Sequence, residues 1–196
     1  MYLCTVCKNL YIISGCNGAG KTTASYTVLP EILNCREFVN ADEIARGLSP
    51  FNPEGMAIEA GRLMLKRIEE LLQNDESFSI ETTLATKSYL NLVHRAQAKD
   101  YKVHLLFFWL RTPELAVLRV AERVQKGGHN IPENVIRRRY VVGINNLFHL
   151  FIPKVDYWDI YDNSVNPRVQ IACGGKNANT NIFEESLFNQ IKKHVK

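Results

Sequence analysis

A glycine-rich segment near the start of the chain carries the clearest chemical signal. Residues 15–22 form GCNGAGKT, the complete pattern G-x-x-x-x-G-K-T of a phosphate-binding loop. In such a loop successive backbone N–H groups surround phosphate oxygens, and the helix that follows presents its positive end to the anion. Lys21 is expected to reach the β- and γ-phosphates, and the hydroxyl of Thr22 to bind magnesium. The segment therefore predicts a site for a nucleoside triphosphate and Mg²⁺.

The same segment supplies most of the expected nucleotide contacts. Its glycines keep Cβ atoms away from the places where the backbone must approach phosphate. Cys16 lies among the N–H groups of the loop, which suggests a lowered pKa and a thiol open to oxidation. The residues expected to contact the nucleotide here are Gly15, Asn17, Gly18, Ala19, Gly20, Lys21, Thr22 and Thr23.

Two carboxylates follow predicted strands and are the candidates for the chemistry. Asp42 comes just after Phe38 and Val39, and Glu81 just after Ile80. A carboxylate beside the γ-phosphate can accept the proton of an attacking hydroxyl, which is the role we expect for Asp42. Glu81 would hold magnesium through water or bind the phosphoryl acceptor. Each acid could instead only cap the helix that follows it.

Arginines on both sides of a glycine pair predict a lid. Arg119 and Arg123 lie four residues apart on one helix face, and Gly127 and Gly128 interrupt the helix before a second one begins. A hinged pair of helices that carries arginines can close over a transferring phosphoryl group and exclude water. We therefore expect a lid within residues 113–148, with a solvent-exposed basic surface as the alternative.

The second helix of this lid carries three consecutive arginines, at positions 137–139. Its apolar stripe places Arg138 opposite the packed side, with the other two arginines beside the stripe. We therefore expect Arg139 rather than Arg138 to reach a phosphate. His129, in the hinge, is interpreted as a turn residue rather than a phosphate ligand.

Strand-like and helix-like segments alternate along the whole chain, and they determine where the candidate site residues lie. The first strand, at residues 9–14, precedes the phosphate-binding loop, and the apolar segment 102–110 is expected to be a fully buried strand. Such alternation predicts an α/β fold of the P-loop type, with a mainly parallel sheet of about five or six strands, helices on both faces and a helical lid. We expect one domain over residues 1–196, with its ligands at the carboxyl ends of the strands.

Composition excludes several classes of function. The net charge of +4 over 196 residues is mild, which suits a small polyanionic ligand better than a nucleic acid. No apolar run is long enough to span a membrane, and the first residues do not form a signal peptide, so a cytoplasmic protein is expected. Five scattered cysteines argue against a disulfide framework, and the spacing of Cys4 and Cys7 has no second ligand pair for zinc.

Motifs that are absent narrow the choice among phosphate-loop proteins. The sequence has no L-S-G-G-Q signature of a transporter ATPase and no N-K-x-D motif of a GTPase. A kinase for a small hydroxyl compound and an ATPase that acts on water remain. A structural protein that keeps the loop as a relic is disfavoured, because Lys21, Thr22 and Asp42 are all present.

Five segments together resemble the zeta-toxin-like kinases. They are GCNGAGKT at 15–22, NADEIA at 40–45, SIETTL at 79–84, GGH at 127–129 and IRRRY at 136–140. This resemblance implies a nucleotide-kinase-like fold, ATP as the nucleotide, and phosphorylation of a sugar hydroxyl of UDP-N-acetylglucosamine. It also implies an antitoxin protein as a partner.

The resemblance assigns roles to single residues. Asp42 would be the base, Glu81 with Thr82 would bind the acceptor, and Arg123 with one of the three arginines at 137–139 would hold the γ-phosphate. The spacing of the lid is also similar to that of adenylate kinase, where the first arginine packs on adenine, and Arg119 would take that role here. The sequence therefore predicts a kinase that transfers the γ-phosphoryl group of ATP to a small-molecule hydroxyl; the alternative is a regulatory ATPase without an acceptor.

Overall fold

The computed structural model describes residues 7–31, 33–128 and 130–195. Seven strands and seven α-helices occur in these ranges. The strands are β1 (Asn9–Ser14), β2 (Glu37–Val39), β3 (Phe78–Thr82), β4 (Lys102–Trp109), β5 (Tyr157–Asp162), β6 (Val169–Gly175) and β7 (Ala178–Ile182). The helices are α1 (Lys21–Glu31), α2 (Ala41–Leu48), α3 (Ala57–Gln73), α4 (Tyr89–Gln97), α5 (Pro113–Gln125), α6 (Glu133–Asn146) and α7 (Glu185–Lys192). A 3₁₀ turn at Glu54–Met56 precedes α3, and a π-helical turn at Leu147–Phe151 continues α6.

All seven strands form one sheet in the order β2-β3-β1-β4-β5-β6-β7. The first five in this order run parallel, β6 runs antiparallel to β5, and β7 runs antiparallel to β6. The α/β class with a mainly parallel sheet is confirmed, but the expected strand number was too low. β7 was missed because all five of its residues are exposed, so it lacks the apolar alternation that marks a strand.

The strands at the centre of the sheet are the most apolar. Leu10 and Ile12 of β1 and Val103 and Leu105 of β4 are fully buried. Their register places the carboxyl ends of β1, β3 and β4 side by side, at the edge where the phosphate-binding loop leaves β1. Helices α1, α2 and α5 begin a few residues after β1, β2 and β4 end, so side chains from several segments converge at this edge.

Helix α2 was also not among the elements predicted from the sequence. This helix has eight residues, and Ala45 is its buried residue. Its start is defined by Asn40, whose side-chain oxygen accepts a hydrogen bond from the backbone N–H of Asp42 at 2.9 Å. Ala41 and Ile44 also pack against the core, so the helix has an apolar face, but eight residues are too few for this face to give a clear periodic signal.

Helices α5 and α6, which form the hairpin expected to act as a lid, pack into the core on their inner sides. Ala116 and Val120 of α5 and Ile136 and Tyr140 of α6 are buried. The Tyr140 hydroxyl donates to the carbonyl of Leu110 at 2.7 Å and accepts a hydrogen bond from Trp109 Nε1 at 3.0 Å. Burial raises the pKa of the Tyr140 phenol, so it stays a donor. The hairpin is therefore fixed at its base, at the carboxyl end of β4.

We predict that Tyr140→Phe lowers the free energy of unfolding by about 1–3 kcal/mol, because a buried indole N–H and a buried carbonyl each lose a partner. Urea unfolding measures the change. Tyr26→Phe is the matched control, since Tyr26 is 62% exposed on α1 and its hydroxyl can be replaced at little cost. An equal loss in both variants would contradict the role of the buried hydroxyl.

No helix in the described ranges has the length and apolar character needed to cross a membrane. Zinc was not expected at Cys4 and Cys7, and Cys4 lies outside the described residues. Cys7 is exposed.

Candidate active site

The phosphate-binding loop connects β1 to α1 and is closely packed against the hairpin of α5 and α6. Gly18 has a φ of +79°, and a Cβ atom there would lie 2.7 Å from the carbonyl oxygen of Ala116. The same Cβ would lie 3.2 Å from the Cβ of Arg119. Only glycine fits such a position, because both the backbone conformation and the space exclude a side chain. The base of α5 is therefore part of the loop's support.

A partly buried network joins this loop to the end of β3. Lys21 Nζ donates to the carbonyl of Cys16 at 3.1 Å and lies 3.5 Å from Glu81 Oε1. The Thr22 hydroxyl donates to Glu81 Oε2 at 2.8 Å, and Asn40 Nδ2 donates to the same oxygen at 2.9 Å. Glu81 is thus a partner of the loop rather than a helix cap.

The network fits a magnesium ion at Thr22. A hydroxyl that donates its hydrogen to a carboxylate directs a lone pair away from it, and Mg²⁺ binds through few protein oxygens together with phosphates and water. Of the two roles expected for Glu81, these contacts favour the magnesium side. Asn40 was not among the predicted site residues. It could have been found from its position just before the first turn of α2, where an asparagine is typical.

Asp42 lies in the first turn of α2 and is exposed. Asn40, rather than Asp42, caps this helix through its side chain. The Asp42 carboxylate lines a cleft of about 570 Å³ between α2 and the tip of the hairpin. The described residues lining this cleft are Ala41, Asp42, Ala45, Arg46, Pro50, Phe51, Asn52, Pro53, Glu54, Ala57, Arg123, Gly127, Gly128 and Asn130.

A second cleft, of about 590 Å³, lies on the other side of the hairpin tip. Its lining includes Arg119, Glu122 and Lys126, and it shares Arg46 and Arg123 with the first cleft. Arg46 was missed from the sequence. It lies one helical turn after Asp42, but this spacing carries no signal when α2 itself is not predicted.

The three consecutive arginines of α6 point in different directions. Arg139 Nη1 donates to Asn17 Oδ1 in the phosphate-binding loop at 3.3 Å. Arg137 is held by Glu133 at 2.7 Å and by Glu114 at 2.6 Å, while Arg138 is exposed. The structure therefore brings Arg139 to the loop, as the apolar stripe predicted, and leaves its role in catalysis as a proposal.

Arg119 and Arg123 differ in their surroundings although they share a helix face. The Arg119 guanidinium donates to the carbonyls of Asn163 and Ser164 at 2.8 and 3.1 Å. Arg123 is half-buried at the tip, and its carbonyl accepts a hydrogen bond from the Gly128 N–H at 2.9 Å. His129, expected in the hinge, lies outside the described residues.

The surroundings of three further residues, Thr82, Thr23 and Cys16, can be compared with the predictions. Thr82 is buried, and its hydroxyl oxygen accepts a hydrogen bond from the Leu84 N–H at 3.1 Å. It is not among the described residues that line the first cleft. Thr23 is exposed on the first turn of α1. The expectation of a lowered Cys16 pKa was wrong, because burial of this side chain raises its pKa to about 11.

The comparison with protein families agrees with this geometry. The sequence profile of the family described as Zeta toxin matches residues 7–148. This range includes the phosphate-binding loop, both carboxylates and the whole hairpin. The chain belongs to the zeta toxin family. The resemblance drawn from five short segments is thereby confirmed, and the family is one of P-loop kinases.

The known proteins that are similar to this member of the zeta toxin family share little sequence identity with it. An uncharacterized protein of Haemophilus influenzae is 29% identical over 126 residues, which cover 64% of this chain and 88% of that protein. A chain of the AvrRxo1-ORF1:-ORF2 complex with ATP superposes with a TM-score of 0.72 and 17% identity, covering 95% of this chain. The chain spans 64% of the length of that AvrRxo1 chain.

A chain of the PezAT chromosomal toxin–antitoxin system of Streptococcus pneumoniae superposes with a TM-score of 0.69 and 18% identity. The match covers 97% of this chain and 86% of the PezAT chain. At these identities the two solved structures show a common fold, and the zeta toxin family profile supplies the assignment.

Proposed function

We propose that the chain is an ATP- and magnesium-dependent kinase that transfers the γ-phosphoryl group of ATP to a hydroxyl of a small metabolite. The observation that carries this proposal is the cleft lined by both Asp42 and Arg123. Glu81 connects this cleft to the phosphate-binding loop, because it accepts hydrogen bonds from Thr22 of the loop and from Asn40 at the start of α2. A base and an arginine beside a phosphate site are the parts that phosphoryl transfer needs.

In this proposal each side chain acts on a defined part of the reaction. Lys21 binds the β- and γ-phosphates, and Thr22 with Glu81 would hold magnesium, which supplies charge neutralisation at these phosphates when bound. Asp42 takes the proton of the acceptor hydroxyl as the oxygen attacks. Arg123 and Arg139 stabilise the charge on the phosphoryl group as it moves from ADP to the acceptor oxygen.

Arg119 supports a site for the base of the nucleotide. Two backbone carbonyls fix the plane of its guanidinium. A guanidinium held in one orientation can stack on an aromatic ring without further loss of conformational entropy. We therefore propose that adenine packs on Arg119, beside the loop that follows β5.

The volume and lining of the first cleft support an acceptor larger than a simple polyol. The cleft of about 570 Å³ combines a fully exposed aromatic ring, Phe51, with the charge of Arg46. Nucleotide sugars such as UDP-N-acetylglucosamine are the first acceptors to test, with labelled ATP and a panel of hydroxyl metabolites. Slow ATP hydrolysis with no labelled product from the whole panel would favour the regulatory ATPase instead.

We also propose an antitoxin protein as a partner and the cytoplasm as the compartment. The AvrRxo1 chain was solved as a complex of two proteins, and PezAT is a toxin–antitoxin system. Co-expression with the product of an adjacent gene would isolate such a complex if one forms.

We predict that saturating ATP with magnesium stabilises the fold. A ligand at a hundredfold excess over its Kd adds about 2.7 kcal/mol to the free energy of unfolding. For a chain of this size the melting temperature should rise by roughly 5–10 °C. Thermal unfolding with and without ligand measures the shift.

Lys21→Ala should abolish most of this shift, because the variant lacks the charge that meets the phosphates. Lys8→Ala is the matched control, since Lys8 pairs with Asp75 on the surface at the start of β1. An unchanged melting temperature of the wild-type chain with ATP, ADP and GTP would overturn nucleotide binding altogether.

A further inference from the structure

The loop that follows β5 is held by two neighbouring elements. Asp162 is fully buried, and its carboxylate accepts hydrogen bonds from Arg111 Nε and from the Ser164 N–H, both at 2.8 Å. The Arg111 N–H donates to Ser164 Oγ at 2.9 Å. The segment that follows the end of β4 thus fixes residues 162–164.

Asn163 at the centre of this loop contacts three parts of the site. Its N–H donates to the Trp109 carbonyl at 2.9 Å, and its carbonyl accepts from Arg119 at 2.8 Å. Its side-chain Nδ2 donates to the carbonyl of Ala19 in the phosphate-binding loop at 2.7 Å. The backbone of Asn163 is therefore fixed by β4 and α5, and its amide is presented to the phosphate-binding loop from a rigid base.

The bond to Ala19 determines the direction of the next N–H. In a planar trans peptide the C=O and the N–H point in opposite directions. When Asn163 holds the Ala19 carbonyl, the Gly20 N–H points away from Asn163. Gly20 has a φ of +76°, and without a Cβ atom it can adopt either orientation of this peptide when nothing holds it.

The packing around Gly20 agrees with this arrangement. A Cβ atom at position 20 would lie 2.7 Å from Asn163 Nδ2. The absent side chain of Gly20 therefore gives Asn163 the space to reach the Ala19 carbonyl. Glycine is therefore required at this position both for the positive φ and for the contact of Asn163 with Ala19.

We propose that Asn163 is a positioning residue that holds the Ala19–Gly20 peptide with the Gly20 N–H directed to the nucleotide phosphates. The proposal rests on the proposed nucleotide site. It assigns to the loop after β5 a role in phosphate binding that is separate from any contact with the base.

Binding of two ligands tests the proposal. Magnesium complexes of ATP and of inorganic tripolyphosphate are titrated into the wild-type chain, Asn163→Ala and Asn163→Asp by calorimetry. Asn163→Ala should weaken both ligands by the same factor, about tenfold to a hundredfold, because a hydrogen bond to a charged group is lost. Asn163→Asp should weaken both further, since a carboxylate repels the Ala19 carbonyl and the phosphates.

The comparison of the two ligands separates this role from a merely structural one. If Asn163 only supported the loop that holds Arg119, Asn163→Ala would weaken ATP and leave tripolyphosphate unchanged. The Gly20 amide signal in nuclear magnetic resonance spectra should also shift with tripolyphosphate in the wild type and respond much less in Asn163→Ala. Val165→Ala, in the same loop and 42% exposed, is the matched control and should bind both ligands as the wild type does.

Binding of tripolyphosphate to both Asn163 variants within about twofold of the wild type would overturn the proposal. Failure of the wild type to bind either ligand would overturn the nucleotide site itself, and the two failures are distinguished by the wild-type titration. Asn163 is half-buried in a loop, so Asn163→Asp, which keeps its size, provides a folded variant if Asn163→Ala is unstable.

Discussion

Asp42→Asn should lower kcat by about 10² to 10⁴ and leave the affinity for ATP within a few-fold of the wild type. The amide keeps the size of the carboxylate but cannot accept the proton of the attacking hydroxyl. Asp42 is exposed in the first cleft, so the substitution should not disturb the hydrogen bond of Thr22 to Glu81. Steady-state kinetics with the identified acceptor and calorimetry with ATP measure the two effects.

Glu43→Gln is the matched control for this experiment. Both acids lie in the first turn of α2, where a negative charge stabilises the helix by roughly 0.3–1 kcal/mol. If Asp42 served only this purpose, both variants would lose similar stability and neither would lose activity. Wild-type turnover in Asp42→Asn would therefore show that Asp42 only stabilises the first turn of α2.

Arg139→Ala and Arg123→Ala should each lower kcat by roughly 10³ or more, because an arginine that meets the phosphoryl group in the transition state contributes about 10³ to 10⁵ in rate. Binding of ADP should change much less, since the charge in question develops on the transferring group. Single-turnover phosphorylation and ADP titrations give the two quantities.

Arg138→Ala provides the comparison within the same helix turn. This side chain is exposed, whereas Arg139 contacts Asn17. A loss in Arg138→Ala as large as that in Arg139→Ala would show that the helix face does not decide which arginine acts. A wild-type kcat in all three variants would show that the hairpin is only a basic surface and takes no part in catalysis.

The parts of the fold that the sequence predicted well are those in which local pattern and burial agree. β1 was predicted with its exact bounds, and β4 extends to one residue short of its expected end. Both strands are apolar along most of their length and lie at the centre of the sheet. The phosphate-binding loop was predicted because its chemistry depends on consecutive residues.

The features that were missed depend on contacts between distant residues. The hydrogen bond of Thr22 to Glu81 requires the register of β1 against β3, and that of Asn163 to Ala19 joins residues 144 positions apart. The predicted pKa shift of Cys16 was wrong in direction because the sequence places this thiol among the N–H groups of the loop but does not show its burial, which is the larger effect. Spacing along the chain contains neither kind of information.

The two edges of the sheet have a consequence for the behaviour of the chain at high concentration. Open edges can pair with strands of another copy and begin aggregation. Here one edge is β2, with three residues, and the other is β7, a strand of five exposed residues of which three are Asn or Thr. Short and polar edges offer few groups for such pairing, so concentrated preparations should resist growth into β-rich assemblies while the native sheet persists.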